Sequence, residues 1–468
     1  MIDAVIVGSG PNGLAAAITL AAAGKSVRVI EGRDTIGGGT RTEELTEPGI
    51  PHDVCSAVHP LAAGSPFFAS LPLQEHGLEW AHPTIPLAHP FDDGSAAVVH
   101  RSLDETADGL GVDGTAWKDL FGPFVADWDR TAVMATAPPI RAARAPVAGL
   151  RLARVGLRSG RSMARRFATD PARAVIGGLA AHSVAPLDTA AGAGVALVLG
   201  AAAHAVGWPF ARGGSNRIVR ALASHLESLG GEIDTGRWVR RLGDLPDTHA
   251  IFFDTAPQAA AAIAAERIPM RTRRRYARVK PGSGVFKIDV VTDGPIPWVA
   301  EACRSAGTVH VGGTYEEIEA AEAAVPRGEH PDRPFVLAAQ PLVADPARAP
   351  DGVGILWAYC HVPNGSDRDM TEPIIRQIER FAPGFQRSIR AMSIRGPSDL
   401  ESDNPNYAGG DITGGAVSLW GVLSRPRIFR PYRAGDGVYL CSAATPPGAG
   451  VHGMCGHHAA RAALADMR

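Results

Sequence analysis

The sequence has very little lysine. Only Lys25, Lys118, Lys280 and Lys287 are lysines among 46 basic residues, and the rest are arginines. The 48 acidic residues leave a formal net charge of -2. A chain without an overall positive field has no general attraction for nucleic acid, so we expect no nucleic-acid partner.

Cysteine is also scarce, and its spacing excludes two kinds of chemistry. Cys55, Cys303, Cys360, Cys441 and Cys455 form no CxxC or CxxxxC pair. The sequence therefore supports neither a zinc site nor a redox-active disulfide, and no metal is expected. The chain also runs directly into a predicted strand, without a signal peptide, which favours the cytoplasm.

No apolar run has the composition of a membrane span. Residues 189–211 lack Asp, Glu, Lys and Arg, but they are mostly Ala and Gly and include His204 and Pro209. This composition favours a buried helix beside a substrate cavity over a transmembrane helix.

The first forty residues carry the strongest motif of the chain. A buried parallel strand, "DAVIVG", leads into a GxGxxG turn and an Ala-rich helix, and "SVRVIE" is a second strand that ends at Glu31. Such a turn lets the backbone approach a pyrophosphate at the helix N-terminus, and the acid accepts hydrogen bonds from a ribose. The pattern predicts dinucleotide binding rather than a glycine turn in an ordinary βαβ unit. The turn residues are Gly8, Ser9, Gly10, Pro11, Asn12 and Gly13.

The dinucleotide is identified by resemblance. The segment "EGRDTIGGGTRTEE" resembles the extension of two-dinucleotide-binding flavoproteins, in which a glycine loop and an arginine lie along the FAD diphosphate. The resemblance implies FAD as the cofactor, held in part by Gly37, Gly38 and Arg41. The alternative for Arg41 is a surface ion pair with Glu43 or Glu44.

The rest of the chain predicts an α/β (α+β) fold with a discontinuous Rossmann-type domain. Residues 207–242 indicate a glycine turn, an amphipathic helix and then a strand. Val239 in this stretch is a further cofactor-binding candidate. Residues 437–464 indicate a strand, a Pro/Gly loop and a closing helix that begins near Val451 or His452. We therefore predict an FAD-binding domain and an inserted mixed sheet and helical substrate domain. The predicted segments are 1–75, 207–289 and 426–468 for the first domain, and 76–206 and 290–425 for the second.

Nearly the whole chain resembles the phytoene-desaturase-like flavoproteins, which include carotenoid desaturases, retinol saturases and pyridine nucleotide-disulphide oxidoreductase domain-containing relatives. The segments that carry the resemblance are "GSGPNGL", "GGGTRTEEL", "HDVCSAVHP", "GWPFARGGSNRIVRALASHL" and "YLCSAATPPGAGVHG". "GHHAA" departs from the family's usual GRNAA, and Ser442 stands where relatives often have glycine. The resemblance implies a two-domain architecture like that of the amine oxidases.

The resemblance also implies that the C-terminal loop runs under the flavin. It assigns cofactor binding to Ser442, Ala443, Gly450, Val451 and Gly453. His452 is a candidate catalytic residue because its imidazole could face the flavin or the substrate, although a structural hydrogen-bonding role is the alternative.

A second candidate catalytic residue is Lys287, in the predicted strand "GSGVFKIDVV". In the wider flavin amine oxidase superfamily, a lysine on a similar strand holds a water near flavin N5. The alternative is an edge-strand lysine that reaches solvent.

A basic stretch indicates an anionic membrane surface as a further partner. Arg151, Arg154, Arg158, Arg161 and Arg165 recur at three and four residues within 141–173, beside leucines and valines. On one helix they would share a face, typical of peripheral membrane binding. An ordinary solvated face is the alternative.

These patterns predict an FAD-dependent oxidoreductase of the desaturase or saturase type. Hydride would move between flavin N5 and an apolar substrate, which could be a polyene, an isoprenoid or a lipid. No second nucleotide-binding unit appears, so oxygen, a quinone or another acceptor stays open, as does an oligomer. Two alternatives remain: an amine oxidase-like enzyme, for which the C-terminal loop offers no aromatic cage, and a flavin-binding scaffold or regulatory protein with little turnover.

Overall fold

The computed structural model describes residues 2–138, 152–190, 192–416 and 430–467. The strands in chain order are β1 Ile2–Val7, β2 Val27–Ile30, β3 Thr42–Glu43, β4 His52–Asp53, β5 Trp80–Ala81, β6 Ile85–Pro90, β7 Ala96–Val99, β8 Phe210–Ala211, β9 Glu232–Asp234, β10 Thr248–Phe253, β11 Gly284–Asp293, β12 Ala306–Val311, β13 Val336–Ala339, β14 Val353–Val362, β15 Ile389–Arg395, β16 Arg433–Gly435 and β17 Val438–Leu440.

Helices connect and cover these strands. In chain order they are α1 Pro11–Ala21, α2 Pro60–Ala63, α3 Pro66–Ala69, α4 Leu103–Gly109, α5 Gly114–Val125, α6 Trp128–Ala135, α7 Gly160–Ala164, α8 Asp170–Ala181, α9 Gly192–Ala205, α10 Asn216–Ser228, α11 Pro257–Ile263, α12 Met270–Tyr276, α13 Glu301–Arg304, α14 Tyr315–Ala324, α15 Thr371–Phe381, α16 Phe385–Ser388, α17 Pro397–Asp403 and α18 Met454–Asp466. Residues 152–156 are helical as well.

A six-stranded sheet forms the Rossmann-type domain, with strand order β16-β17-β10-β1-β2-β9. All its pairings are parallel except the edge pair β16 and β17. Val7 lies opposite Ile30 on one side and Phe253 on the other, so three neighbouring strands end together. Ligands of parallel α/β sheets bind outside such carboxyl ends, and this edge positions the site.

A seven-stranded sheet forms the second domain, with strand order β15-β11-β14-β13-β12-β6-β7. Its pairings are antiparallel apart from the parallel pair β6 and β12. The strands of the two large sheets come from the segments predicted for the two domains, with one exception. Strand β11 (Gly284–Asp293) belongs to the seven-stranded sheet, so the predicted boundary at residue 289 falls inside a strand and is wrong. The reason is that β11 is fixed by pairing with β14 and β15, partners that are remote in sequence.

A helical layer packs on the second sheet. Helix α9 is apolar all round, and most of its side chains are buried against α8, α5 and the large core cluster around Trp117. The predicted buried helix within residues 189–211 is therefore present. Within the described ranges, no helix is long and apolar enough to cross a membrane.

The basic stretch does not form one continuous helix. Residues 141–151, including Arg151, lie outside the described part of the chain. Helical residues 152–156 end before Arg158, and Ser159 forms a β-bridge with Ala190 and caps α7. Arg161 then lies on another helix and pairs with Glu319 at 2.7 Å. The expectation of five arginines on one face is wrong because this bridge interrupts the helix.

Candidate dinucleotide site and active-site cavity

A cavity of about 800 Å³ extends from the carboxyl edge of the six-stranded sheet into the second domain. On the first side it is lined by the glycine turn after β1, by the residues after β2 and by those after β10. On the second side it is lined by α9, by β14 and by the segment 403–415. Both domains therefore contribute to one continuous space.

Most of the predicted cofactor-binding residues meet at this cavity. The lining includes Gly8, Ser9, Gly10, Pro11, Asn12, Glu31, Gly38, Arg41, Val239, Ser442, Ala443, Gly450 and Val451, together with His452. Gly13, Gly37, Gly453 and Lys287 are not among the lining residues. Gly13, Gly37 and Gly453 each adjoin a lining residue in the sequence.

Glu31 follows β2 and is tied to the glycine turn. One carboxylate oxygen, Oε2, accepts the backbone N–H of Ser9 at 2.9 Å and its hydroxyl at 2.6 Å. The other oxygen accepts the backbone N–H of Arg33 at 2.9 Å. The carboxylate is buried yet lines the cavity, as a ribose-binding acid must.

The glycine loop after Glu31 brings Arg41 into the cavity wall. Gly37 has a φ of 127° and Gly38 a φ of 55°, values in the region that favours glycine. A Cβ on Gly38 would lie 3.3 Å from the Gly10 Cα, so the two glycine loops are in close contact. Arg41 is only 9% exposed, and among the described residues it forms no ion pair with Glu43 or Glu44. The surface ion pair considered from the sequence is therefore not formed.

The residues at this end fit FAD. Arg41 Nε, Asn12 Oδ1 and Ser442 Oγ are buried in lining residues without a hydrogen-bond partner in the described structure. Buried polar atoms in native proteins nearly always have partners, so such a set marks the place of a polar ligand. The donor chemistry of Arg41 suits a diphosphate.

The C-terminal loop lies along the same cavity, but its helix begins later than predicted. Helix α18 starts at Met454, because Gly453 adopts a left-handed φ of 69° and interrupts the helical backbone. His452 is buried, and its Nδ1 accepts the Met454 backbone N–H at 3.0 Å. Burial lowers the pKa of His452 to about 4, so its imidazole is neutral. These contacts of His452 fit the structural hydrogen-bonding role that is the alternative to catalysis. The imidazole ring also lines the cavity.

Lys287 is buried on β11, the strand next to the edge strand β15 of the second sheet. Its strand pairs on both sides, so the solvent-reaching edge lysine considered from the sequence is excluded. The ammonium is 2% exposed, is hydrogen-bonded to Asp289 and lies 5.6 Å from the Trp357 ring centroid. Burial lowers the pKa of Lys287 and raises that of Asp289. Trp357 lines the cavity, whereas Lys287 and Asp289 do not.

Aromatic side chains reach the cavity from strands and loops that the sequence reasoning did not consider. Trp357 and Tyr359 on β14 both line it, with ring centroids 5.1 Å apart and planes at 85°. Tyr407 and Cys55 line it near the glycine loop. The alternation in "ILWAYCHV" predicts that Trp357 and Tyr359 share a face of the strand.

Asp254 is the other site residue that the sequence reasoning missed. It follows β10 and accepts the Gly13 backbone N–H on Oδ2 at 2.8 Å. The sequence contains a pattern that could have identified Asp254, because a polar residue directly after the apolar run "AIFF" marks the carboxyl end of a parallel strand. Burial raises the pKa of Asp254 to about 7.

Comparisons with known proteins agree with this architecture. The profile of a family described as an NAD(P)-binding Rossmann-like domain matches residues 6–68. The chain is 25% identical to "Pyridine nucleotide-disulfide oxidoreductase domain-containing protein 2" of Rattus norvegicus, over 100% of this chain and 94% of that protein. A 4,4'-diapolycopen-4-al dehydrogenase of Metabacillus indicus is 32% identical over 26% of each chain. The solved structure of cyclohexylamine oxidase from Brevibacterium oxydans IH-35A has a TM-score of 0.60 at 15% identity, and the match covers 100% of this chain and 99% of that one.

These matches confirm the predicted α/β fold and its two-domain architecture. They also agree with FAD as the predicted cofactor. Similarity to the rat protein extends along the whole chain, whereas similarity to the Metabacillus indicus dehydrogenase covers about a quarter of it. The chain therefore contains a Rossmann-like dinucleotide-binding domain, and the proteins to which it is similar include oxidoreductases.

Proposed function

We propose that this protein transfers hydride between FAD and an apolar substrate of the polyene, isoprenoid or lipid class, as a desaturase or saturase does. The observation that carries the proposal is the composition of the cavity beyond the glycine loops. The lining there includes the apolar residues Leu152, Gly156, Gly194, Val195, Val198, Leu199, Trp208, Leu337, Trp357 and Tyr359, and the uncharged polar residues Thr136 and Ser183.

The charged lining residues come from other segments of the chain than these apolar residues. The lining Asp, Glu and Arg residues lie after β2 and β10, at Arg237, and in the segment that carries Asp403 and Asp411. His182 lies beside the apolar wall, and burial lowers its pKa to about 3, so it is neutral. An apolar wall without a fixed charge favours burial of hydrocarbon over binding of an ammonium or a carboxylate.

The chain contributes orientation and exclusion of water to this reaction. FAD, when bound, supplies the hydride chemistry. Gly194 and Gly156 let two helical segments approach closely, since a Cβ on Gly194 would lie 3.0 Å from the Gly156 carbonyl oxygen. Val195 and Val198 then face the open space, where they would hold an extended apolar chain away from water.

A flavin amine oxidase activity is the second candidate, and one observation favours it. The Trp357 and Tyr359 rings lie in the cavity wall, so β14 supplies the aromatic surface that the C-terminal loop lacks. None of the lining carboxylates among the described residues comes from β14 or from the strands β11 and β13 beside it, which favours the apolar substrate.

An anaerobic bleaching experiment tests the proposal. Purified protein is mixed with fractionated cell lipids or with a primary amine such as cyclohexylamine, and the flavin absorbance is followed. We expect bleaching by a lipid fraction and none by the amine. Bleaching by the amine alone would support the oxidase. Because a saturase passes hydride from reduced flavin to its substrate, the dithionite-reduced protein is mixed with the same fractions, and reoxidation of the flavin is followed. Neither bleaching nor anaerobic reoxidation by any fraction would support a scaffold with little turnover.

Val198→Trp is the matched variant for this experiment. The indole would fill the apolar compartment without touching the glycine loops, so FAD content is expected to stay unchanged while bleaching by lipid is lost. Val133→Trp serves as the control, because Val133 is 50% exposed and lies outside the cavity.

A further inference from the structure

The carboxyl group of Asp254 lies inside the glycine turn that is expected to carry the diphosphate. Its Oδ2 accepts the Gly13 backbone N–H at 2.8 Å. A Cβ on Gly10 would lie 2.6 Å from this oxygen, and a Cβ on Gly13 would lie 3.1 Å from it. Two glycines of the GxGxxG motif therefore leave room for this carboxyl group as well as for a nucleotide.

The surroundings of Asp254 offer little to balance a negative charge. Asp254 forms no ion pair with any described Lys, Arg or His residue. The ionisable groups that act on it are Glu31 after β2 and, from the end of β17, Cys441. The side chains of Glu31 and Cys441 are either neutral or negatively charged. Helix α1 contributes the Gly13 backbone N–H and the partial positive charge of the helix N-terminus. Asn406, which accepts the nearby Ala256 N–H, is uncharged.

A diphosphate bound at this turn would add further negative charge beside Asp254. Two anions that share a poorly hydrated site cannot both stay ionised without a large cost. The diphosphate cannot accept a proton near neutral pH, whereas a carboxylate can. The proton must therefore reside on the aspartate.

We propose that Asp254 is a cofactor-binding residue whose carboxyl group is protonated when FAD is bound, so that FAD binding above neutral pH takes up one proton from solvent. The inference rests on the proposed function, since it requires FAD as the ligand. The Gly13 amide engages Oδ2 as an acceptor, so the proton resides on Oδ1, and the neutral carboxyl group then offers a donor rather than a charge.

The direction and size of the pH effect follow from proton linkage. Burial raises the pKa of Asp254 to about 7 before the ligand binds. Below that pH the group is already protonated and FAD binds without proton uptake. Above it the apparent affinity falls, by at most tenfold per pH unit, and the loss between pH 6 and pH 9 is about hundredfold.

Titration of the apoprotein with FAD tests this dependence. The dissociation constant is measured from pH 6 to pH 9 by the quenching of FAD fluorescence, which requires no turnover. We expect the wild type to lose about hundredfold in affinity. Asp254→Asn keeps the shape and the acceptor for Gly13 but cannot ionise, so its affinity is expected to be constant. Asp34→Asn, an exposed carboxyl in the same domain, is expected to keep the wild-type slope.

Calorimetry on the wild type tests the same idea without a variant. Binding heats in two buffers of different ionisation enthalpy report proton uptake, which should be close to zero at pH 6 and close to one at pH 8.5. This inference would be overturned if the FAD dissociation constants of wild type and Asp254→Asn changed equally with pH, or if binding took up no proton at pH 8.5. Tight FAD binding with either result would leave the proposed function intact. Failure of the wild type to bind FAD at any pH would overturn both.

Discussion

The indole N–H of Trp117 donates to Nε2 of His204 across 3.0 Å, in the helical layer over the second sheet. An indole nitrogen can only donate, so His204 Nε2 is an unprotonated acceptor. Burial lowers the pKa of His204 to about 4, below its ordinary value of 6.5. Burial acts in the same direction on His52, His59, His89, His182 and His452.

Stability is therefore expected to fall in mild acid. These histidines bind protons near pH 6.5 only when the chain unfolds, so the free energy of unfolding decreases as the pH falls from 6.5 towards 4. Each such histidine contributes up to about 1.4 kcal/mol per pH unit within this window. Urea unfolding between pH 7.5 and pH 4.5 measures the loss.

His204→Gln is the informative variant for this acid effect. Glutamine keeps an acceptor for the indole but does not titrate, so the loss should be smaller by about 1.4 kcal/mol per pH unit. His249→Gln, at an exposed histidine, is expected to behave as wild type. A free energy of unfolding that stays constant from pH 7 to pH 5 would contradict the neutral state of the buried histidines.

Glu31→Ala is expected to weaken FAD binding by about 1.5–3 kcal/mol, the scale of charged hydrogen bonds to a buried partner. The apoprotein should lose stability as well, since Ser9 and Arg33 lose their acceptor. Flavin retention on dilution and thermal unfolding measure the two effects. Ser9→Ala is the control that leaves the carboxylate in place, and unchanged retention in Glu31→Ala would place the ribose elsewhere.

Lys287→Met leaves Asp289 buried without its partner. Removal of one member of a buried ion pair costs about 3–5 kcal/mol, so thermal stability should fall markedly. Lys287→Met combined with Asp289→Leu is expected to recover part of this loss. In the double variant we expect altered rates of flavin reduction or reoxidation at unchanged FAD content. Wild-type rates in both half-reactions would assign the lysine a purely structural role.

Binding to anionic membranes stays a prediction for the exposed arginines. Arg154, Arg158 and Arg165 are exposed, although they do not share one helix face. Their combined replacement by Gln should weaken the free energy of binding to anionic vesicles by about 1 kcal/mol per residue at low salt, as measured by co-sedimentation. The matched control replaces Arg271, Arg274 and Arg275 on α12, which are also exposed. Equal loss in both triple variants, or equal binding to neutral vesicles, would show that the effect is not specific to this stretch.

The local pattern of the sequence determined the Rossmann-type unit. The strand, the glycine turn, helix α1 and Glu31 are contiguous, and each depends on contacts within about thirty residues, so their order could be read from the chain. The burial of α9 was predictable for the same reason, because residues 189–211 contain no Asp, Glu, Lys or Arg side chain that would have to stay hydrated.

Tertiary structure alone decided the contacts between remote segments. Lys287 became a buried member of an ion pair because β14 and β15 pair on both sides of its strand. Asp254, 241 residues after Gly13, entered the glycine turn because β10 pairs with β1. Local periodicity specifies which residues form strands, but the pairing of strands depends on the packing of the whole core, which no short segment contains.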